Sequence, residues 1–269
     1  MQIRSQIPNL FTLGNLFCGI LAIIYAFQWE LSISAYLVLL AAVLDFFDGF
    51  LARLLKVSGD MGKQLDSLAD MVSFGVVPGI IVFQLMKLTL FLENPTFVLS
   101  WNPFLFIPLI IPLLSAYRLA KFNIDTRQSD SFIGVPTPAN TLFFIAFPLM
   151  LEWDGELVRH MHIGDEVYSN FMPQMWFSFN PFENNEWSGI LLNRYFLSIT
   201  AVIMSFLLIA EIPLFALKFK SFGWKGNEIR FSFLAVAAAL LIIFQFVAIP
   251  IIILLYILIS ILKPLIFKS

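Results

Sequence analysis

Apolar stretches of membrane-spanning length recur along almost the whole of this 269-residue chain. A helix needs about 20 mostly apolar residues to cross the hydrocarbon core of a bilayer. Eight stretches are candidates, of which the fifth is short: about 10–28, 32–57, 64–90, 103–121, 138–152, 195–217, 231–248 and 250–267. Only Pro250 separates the last two, so seven spans are the alternative to eight. The pattern predicts an all-α, polytopic membrane helix bundle.

The composition excludes two other classes of protein. Charged residues make up 13% of the chain, against roughly 25% in soluble domains. Disordered chains are poor in aromatic residues, whereas this one has 31 Phe. The single Cys18 excludes an internal disulfide framework and a cysteine metal site, and two His leave little room for histidine-based metal chemistry. No nucleic-acid partner is expected.

The basic residues predict the orientation of the chain in the membrane. With the N-terminus in the cytoplasm and eight spans, 13 of the 16 Lys and Arg lie on the cytoplasmic side. The exceptions are Lys87, Arg159 and Arg194. Because cytoplasmic loops carry the excess of positive charge, we expect both termini in the cytoplasm.

Four aspartates lie inside the second and third predicted spans, where ionisable side chains are costly and usually functional. At about 100° per residue, Asp45 and Asp48 share a helical arc with three further residues, Gly49, Ala52 and Arg53. Asp66 and Asp70 are four residues apart and share a face of the next helix. A short turn makes the two helices antiparallel neighbours, so the four carboxylates are expected to converge.

Four carboxylates repel one another in a low-dielectric site unless a cation binds among them. Oxygen ligands without Cys or His suit a hard divalent ion, Mg²⁺ or Mn²⁺. Four carboxylates can share two ions, and two ions can stabilise both sides of a phosphoryl displacement. Gly49 and Ala52 leave room for a bulky ligand, and Arg53 adds a planar cation suited to phosphate. The stretch indicates a nucleotide-diphosphate site at the membrane surface.

Two other functions fit part of this pattern. A divalent-cation transporter could use acidic pairs in helices, although it has no obvious need for Gly49, Ala52 and Arg53 at those positions. A scaffold could use the carboxylates to hold helices together. The transporter predicts metal flux without nucleotide dependence. The scaffold predicts that Asp70→Asn preserves all activity in the membrane, or that there is no activity to lose.

Residues 45–70 resemble the complete signature of the CDP-alcohol phosphatidyltransferases, D-x2-D-G-x2-A-R-x8-G-x3-D-x3-D. Every position of the signature is occupied. Further segments within about residues 5–150 are similar to the phosphatidylserine synthase branch of that family: 7–19, 66–75, 118–123 and 132–139. Lys121 departs from the branch, which more often has Arg there.

The resemblance implies transfer of the phosphatidyl group from CDP-diacylglycerol to the hydroxyl of L-serine, with release of CMP. It implies metal ligands at four positions, Asp45, Asp48, Asp66 and Asp70, and the role of general base for Asp70. The positions implied to bind CDP-diacylglycerol are Pro8, Asn9, Gly49, Ala52 and Arg53.

Serine is a small zwitterion, so its carboxylate needs a cation or amide donors. The predicted serine-binding residues are Arg118, then Lys121, with Asn123 beside them at the cytoplasmic end of the fourth span. Both cations could instead mark the membrane interface. Arg127 and Asn140 are weaker candidates. Glycerol phosphate, inositol phosphate and choline are alternative acceptors, and the choice of serine rests on the resemblance.

We expect three regions along the chain. These are a catalytic core over 1–152, an extracytoplasmic loop over 153–194 and C-terminal transmembrane helices over 195–269 that complete the bundle. The resemblance favours a homodimer surrounded by membrane lipids in the cytoplasmic membrane of a bacterium, with the active site facing the cytoplasm. Glu211, which is predicted inside the sixth span, has no role in this interpretation.

Overall fold

The computed structural model describes residues 3–57, 59–94, 102–125, 131–153, 186–215, 223 and 227–266. In this part of the chain the predicted all-α bundle is confirmed. Its helices are α1 (Ile3–Phe27), α2 (Leu31–Leu54), α3 (Asp60–Asp70), α4 (Val77–Glu93), α5 (Pro103–Phe106), α6 (Ile110–Ile124), α7 (Thr137–Trp153), α8 (Glu186–Leu191), α9 (Arg194–Ile209), α10 (Glu228–Phe244) and α11 (Ala248–Ile266).

Among the described residues, five helical stretches are long and apolar enough to cross a membrane: Gln6–Phe27, Leu31–Leu54, Asp60–Glu93, Pro103–Ile124 and Glu228–Leu262. Two shorter apolar helices, Thr137–Leu151 and Arg194–Ile209, accompany them. The protein is therefore an integral membrane protein.

The last apolar stretch is a hairpin of two helices. Phe233 in α10 and Tyr256 in α11 have ring centroids 5.7 Å apart, whereas a straight helix would separate them by about 35 Å. The chain reverses at Gln245, whose φ is 51°. This geometry favours the eight-span interpretation over seven. The break precedes Pro250, because proline is tolerated in the first turn of a helix.

Helix α7 lies at the centre of the bundle and packs against α2, α4, α6, α9 and α11. Its middle turns are buried, and Phe143, Phe144 and Phe147 meet edge to face with centroids 5.2–5.8 Å apart. Because α7 packs against several other helices, its first turn is held in place and can position side chains.

One short antiparallel pair of strands departs from the all-α expectation. Strand β1 (Ser131–Ile133) pairs with β2 (Pro213–Phe215), with Ile133 opposite Pro213. The predicted sixth span extended to residue 217, but α9 ends at Ile209 and the backbone is extended from Ala210. Pro213 cannot continue a helix, so Glu211 lies beyond the helix and is exposed.

The predicted division into three regions stays a prediction. Helix α7 ends at Trp153 and α9 begins at Arg194, near the expected limits of the extracytoplasmic loop. Most of that loop, residues 154–185, lies outside the described residues.

Candidate active site

The structure brings the four signature carboxylates together where α2 meets α3. One carboxylate oxygen from each of Asp45, Asp48 and Asp66 lies within 4.8 Å of the others. Asp70 falls outside this three-carboxylate group, although its carboxyl is within hydrogen-bonding reach of that of Asp45. Asp48 is buried and the other three are partly buried. The arrangement is three clustered carboxylates with a fourth carboxylate at their edge.

Two polar side chains of α1 hold this cluster in place. The Thr12 hydroxyl donates to Asp48 Oδ2 at 2.6 Å, and the Asn15 amide donates to Asp70 Oδ1 at 3.2 Å. Both side chains are almost fully buried. Because such contacts fix the orientation of a metal-binding carboxylate, α1 belongs to the site. Thr12 and Asn15 are not among the site residues predicted from the sequence, although their spacing of three residues in an apolar span is a usable signal.

Helix α1 reaches Asp70 because glycine lets it approach the helix that follows. A Cβ on Gly19 would lie 3.1 Å from the Cα of Ser73. Ser73 belongs to a π-helical segment, Met71–Val76, which begins directly after Asp70. Such segments are rare and occur frequently at functional sites. Here the wider turn changes the helical register between Asp70 and α4. The Phe74 carbonyl in this segment accepts a 2.6 Å hydrogen bond from the Thr141 hydroxyl of α7.

The residues predicted to bind the nucleotide lipid border an open side of α2. A Cβ placed on Gly49 would have no atom within 4 Å, and the Arg53 side chain is exposed. Ala52 is partly buried beside them. This side of the carboxylate cluster has space for a ligand.

Asn9, one of the two N-terminal residues predicted to bind the nucleotide lipid, lies near the start of α3. The side-chain oxygen of Asn9 lies 3.3 Å from the position that a Cβ on Gly62 would take. Pro8 is buried one residue earlier, and its carbonyl accepts a 3.2 Å hydrogen bond from Thr12. Thr12 therefore links the Pro8–Asn9 segment to the carboxylate cluster.

Among the predicted serine-binding residues, Arg118 is the one that interacts electrostatically with a signature carboxylate. It is only 7% exposed, donates from Nη1 to the Thr137 hydroxyl at 2.9 Å, and stacks on Phe122 at 5.5 Å. Asp70 is near enough to act on it electrostatically. A buried guanidinium within electrostatic reach of Asp70 is a suitable anchor for an anionic group.

The two other predicted acceptor residues make contacts away from Arg118. Lys121 forms an ion pair with Glu211 at 3.3 Å, and Asn123 donates to the Ser67 hydroxyl at 2.9 Å. The second contact ties the end of α6 to the residue after Asp66. Arg127 lies outside the described residues.

Several buried polar atoms of α6 and α7 have no hydrogen-bond partner among the described residues. They are the Ser115 hydroxyl, Arg118 Nε, and both the amide nitrogen and oxygen of Asn140. Ser115 lies three residues before Arg118, and Asn140 three residues after Thr137, so each shares a helical face with that pair. Buried polar groups nearly always have a partner, and such unpaired groups indicate a place for a ligand or water.

Comparison with known proteins bears on the family to which the chain belongs. A model of the CDP-alcohol phosphatidyltransferase family matches residues 5–174. The CDP-diacylglycerol–serine O-phosphatidyltransferase of Helicobacter pylori is 34% identical over 148 residues, which are 53% of this chain and 57% of that protein. The Bacillus subtilis protein of the same name is 37% identical over 136 residues, or 50% and 70% of the two chains.

An archaeal relative extends the comparison. The archaetidylserine synthase of Methanothermobacter thermautotrophicus is 31% identical over 146 residues, which are 53% of this chain and 58% of that protein. The chain thus spans little more than half the length of several relatives it matches. The family match includes the whole carboxylate signature, and proteins of this family are metal-dependent. The chain belongs to the CDP-alcohol phosphatidyltransferase family.

Proposed function

We propose that this protein transfers the phosphatidyl group of CDP-diacylglycerol to L-serine and releases CMP. The observation that carries the proposal is the three-carboxylate group of Asp45, Asp48 and Asp66 with Asp70 at its edge. The names of the bacterial relatives support serine as the acceptor.

The carboxylate cluster fits Mg²⁺ or Mn²⁺, and we propose two ions. Its donors are oxygens alone, and three of them are already within 4.8 Å of one another, as hard divalent ions require. Asp45, Asp48 and Asp66 would hold the ions, with Asp70 as a further ligand. When bound, the ions supply positive charge that neutralises the diphosphate as CMP leaves.

Asp70 is the proposed general base. The Asn15 amide holds one of its oxygens, so the other can take the proton from the serine hydroxyl. The serine oxygen then bonds to the phosphorus that carries diacylglycerol, and the bond from that phosphorus to the bridging oxygen of CMP breaks. A hydroxyl is a poor nucleophile without a base in place. Asp70 is suited to this task because it stands at the edge of the three-carboxylate group.

The nucleotide lipid would bind on the open side of α2. Gly49 and Ala52 let the diphosphate approach the backbone, and Arg53 offers a cation to it. Pro8 and Asn9 would contact the cytidine part from above Gly62. The acyl chains would remain in the bilayer and would reach the site through a lateral opening between helices.

Serine would bind between α6 and α7, with its carboxylate on Arg118. The Asn140 amide and the Ser115 hydroxyl, which have no partner in the part of the chain that the structure describes, are suited to its ammonium group and remaining polar atoms. Lys121 and Asn123 stay candidates at the margin of this pocket. An acceptor that carries a phosphate would require more positive charge than Arg118 alone provides.

The setting we propose is the cytoplasmic membrane of a bacterium. Both termini and the active site would face the cytoplasm, as the distribution of Lys and Arg favours. The core over 1–152 would carry the reaction, and the helices over 195–269 would complete the bundle. A homodimer is the proposed assembly.

The test is CMP release by the purified full-length protein in detergent, with CDP-diacylglycerol and Mg²⁺ or Mn²⁺. L-serine is compared with glycerol 3-phosphate, inositol phosphate, choline and no acceptor. Release that requires serine is expected. Asp70→Asn should lower turnover about 10²- to 10⁴-fold while binding of CDP-diacylglycerol persists.

Other outcomes of this assay separate the alternatives. Release with another alcohol would keep the carboxylate chemistry and remove the serine assignment. No release with any acceptor, together with metal flux into proteoliposomes, would support the transporter instead. Equal activity of Asp70→Asn and the unaltered protein would leave the scaffold as the better explanation of the carboxylates.

A further inference from the structure

We propose that the segment from Leu207 to Phe215, at the end of α9, positions Arg118 and thereby sets the affinity for the acceptor alcohol. The proposal rests on the proposed function, since it concerns the acceptor side of the same site. This segment lies outside residues 5–174, which the family model matches. None of the predicted site residues belongs to it.

The segment first holds the backbone of the turn that leads into α7. The Val135 amide donates to the Leu207 carbonyl at 2.9 Å, and the Gly134 amide donates to the Ile212 carbonyl at 3.0 Å. The pairing of β1 with β2 continues this contact. Carbonyls in the last turn of a helix lack partners within the helix, so α9 gains a cap while the turn is fixed.

Gly134 is the tightest point of this contact. Its φ is +76°, a conformation that residues with a side chain rarely adopt. A Cβ at this position would overlap the Leu208 carbonyl oxygen and lie 3.0 Å from the Ala210 carbonyl oxygen. The obstacles are backbone atoms, which cannot rotate away as a side chain can. Only glycine therefore allows the turn to lie against the end of α9.

The turn leads directly to the partner of Arg118. Thr137 is the first residue of α7, is fully buried, and accepts the hydrogen bond from Arg118 Nη1 at 2.9 Å. Only Pro136 separates it from Val135. A shift of the turn against α9 would therefore move the Thr137 hydroxyl and the guanidinium that it holds.

A second contact joins the same segment to α6. Glu211 lies between the two residues that accept the backbone hydrogen bonds, and it pairs with Lys121 at 3.3 Å. Lys121 follows Arg118 by three residues, so it lies on the neighbouring turn of the same face. Both the helix that carries Arg118 and the turn that carries its partner are thus attached to one segment. Lys121 acts here as a positioning residue.

The first variant is Gly134→Ala in the full-length protein, assayed by CMP release at varied serine and varied CDP-diacylglycerol. We expect the KM for serine to rise at least about 10-fold, because the strained turn moves Thr137. The KM for CDP-diacylglycerol should stay within about 2-fold. Gly189→Ala is the control, since a Cβ on Gly189 meets nothing within 4 Å.

The second experiment uses the ion pair and does not depend on the folding of Gly134→Ala. Glu211→Gln should raise the KM for serine about 2- to 5-fold, the effect of losing an exposed ion pair. Glu93→Gln is its matched control, because Glu93 pairs with Arg194 at 3.2 Å at the opposite end of α9. That variant should leave both KM values unchanged.

A charge swap separates positioning from direct binding by Lys121. Lys121→Glu and Glu211→Lys should each raise the KM for serine, and the double variant should restore it to within about 2-fold of the unaltered protein. If Lys121 instead bound the serine carboxylate, Glu211→Gln would do no harm and the double variant would stay impaired. That pattern, or equal changes in both KM values, would overturn the proposal.

The serine assignment can be wrong while the positioning of Arg118 by the Leu207–Phe215 segment is right. An unaltered protein that uses glycerol 3-phosphate instead of serine would remove the serine assignment, and the same KM comparisons would then be made with that alcohol. An unaltered protein that releases CMP with no acceptor would overturn both proposals.

Discussion

The two sides of Asp70 differ in how completely their polar groups are paired. On the α1–α3 side, Thr12 donates to Asp48 and Asn15 donates to Asp70, and one buried polar atom, the Asn15 amide oxygen, has no partner among the described residues. On the α6–α7 side, both polar atoms of Asn140 and the Ser115 hydroxyl have no partner among the described residues. The first side is held by contacts within the protein. The second contains more buried groups that have no partner in the described part of the chain.

This difference indicates how each side works. An unpaired buried polar group costs about 1–3 kcal/mol, so a fold retains such groups where something else pairs them. Carboxylates that bind metal in every turnover gain from partners that fix them beforehand. We call the α1–α3 side the metal side and the α6–α7 side the acceptor side. We infer that the metal side is organised before substrates bind, and that the acceptor alcohol itself provides the missing partners on the acceptor side. Substitutions on the two sides should therefore change different kinetic constants.

The largest effect is expected for Asp66→Ala on the metal side. It removes one of the three clustered carboxylates that we propose hold the metal, and metal binding contributes several kcal/mol of transition-state stabilisation. Turnover should fall at least about 1,000-fold, with loss of Mn²⁺ binding measured by calorimetry or electron paramagnetic resonance.

Asp60→Ala is the control for that substitution. Asp60 is an exposed carboxylate in the first turn of the same helix, and its loss should leave turnover and metal affinity nearly unchanged. If both variants lost turnover equally, net charge rather than metal ligation would explain the result.

The next effect belongs to the acceptor side. Arg118→Ala should raise the KM for serine about 30-fold or more, since loss of a buried charged partner costs roughly 2–5 kcal/mol. The KM for CDP-diacylglycerol and the affinity for Mn²⁺ should change little. If the KM for CDP-diacylglycerol rose more than the KM for serine, Arg118 would belong to the nucleotide-lipid side of the site.

The sequence predicted the metal side better than the acceptor side for a physical reason. Helical periodicity alone places Asp45 and Asp48 on one face and Asp66 and Asp70 on another, and a short turn brings the faces together. The eight apolar stretches likewise follow from local composition. Such features depend on residues near one another in the chain.

The acceptor side depends on contacts between distant residues, which local patterns do not contain. Arg118 meets Thr137, and Lys121 meets Glu211, only because α6, α7 and the end of α9 converge. The π-helical segment after Asp70 has no signature in the amino-acid pattern. The break at Gln245 was assigned to Pro250, because proline is a visible signal and a positive φ at a glutamine is not.

A smaller effect on the metal side is expected for Thr12→Val, which keeps the shape of the side chain and removes its hydroxyl. Asp48 then loses its 2.6 Å hydrogen bond, and apparent Mg²⁺ affinity should fall about 10-fold. The KM for serine at saturating Mg²⁺ should stay the same. Thr89→Val is the matched control, since Thr89 is also buried but donates to Leu85 of its own helix.

The smallest effect is expected for Asn140→Leu, which replaces the amide by an apolar group of similar size. If serine pairs with this amide, the KM for serine should rise about 5-fold, the loss of roughly one hydrogen bond. Mg²⁺ affinity should not change. Thermal stability without substrates should stay equal or increase, because both polar atoms of Asn140 are buried and unpaired among the described residues.

The combination of higher stability with weaker serine binding is what distinguishes the two sides. A structural asparagine would lose stability on substitution, as we expect for Asn15→Leu, whose amide donates to Asp70. Asn15→Leu should lower both stability and turnover and leave the KM for serine little changed. If Asn140→Leu behaved in the same way, its amide would have a partner in the folded protein, such as an ordered water. The acceptor side would then be paired much as the metal side is, and specificity for the alcohol would rest on Arg118 and its positioning.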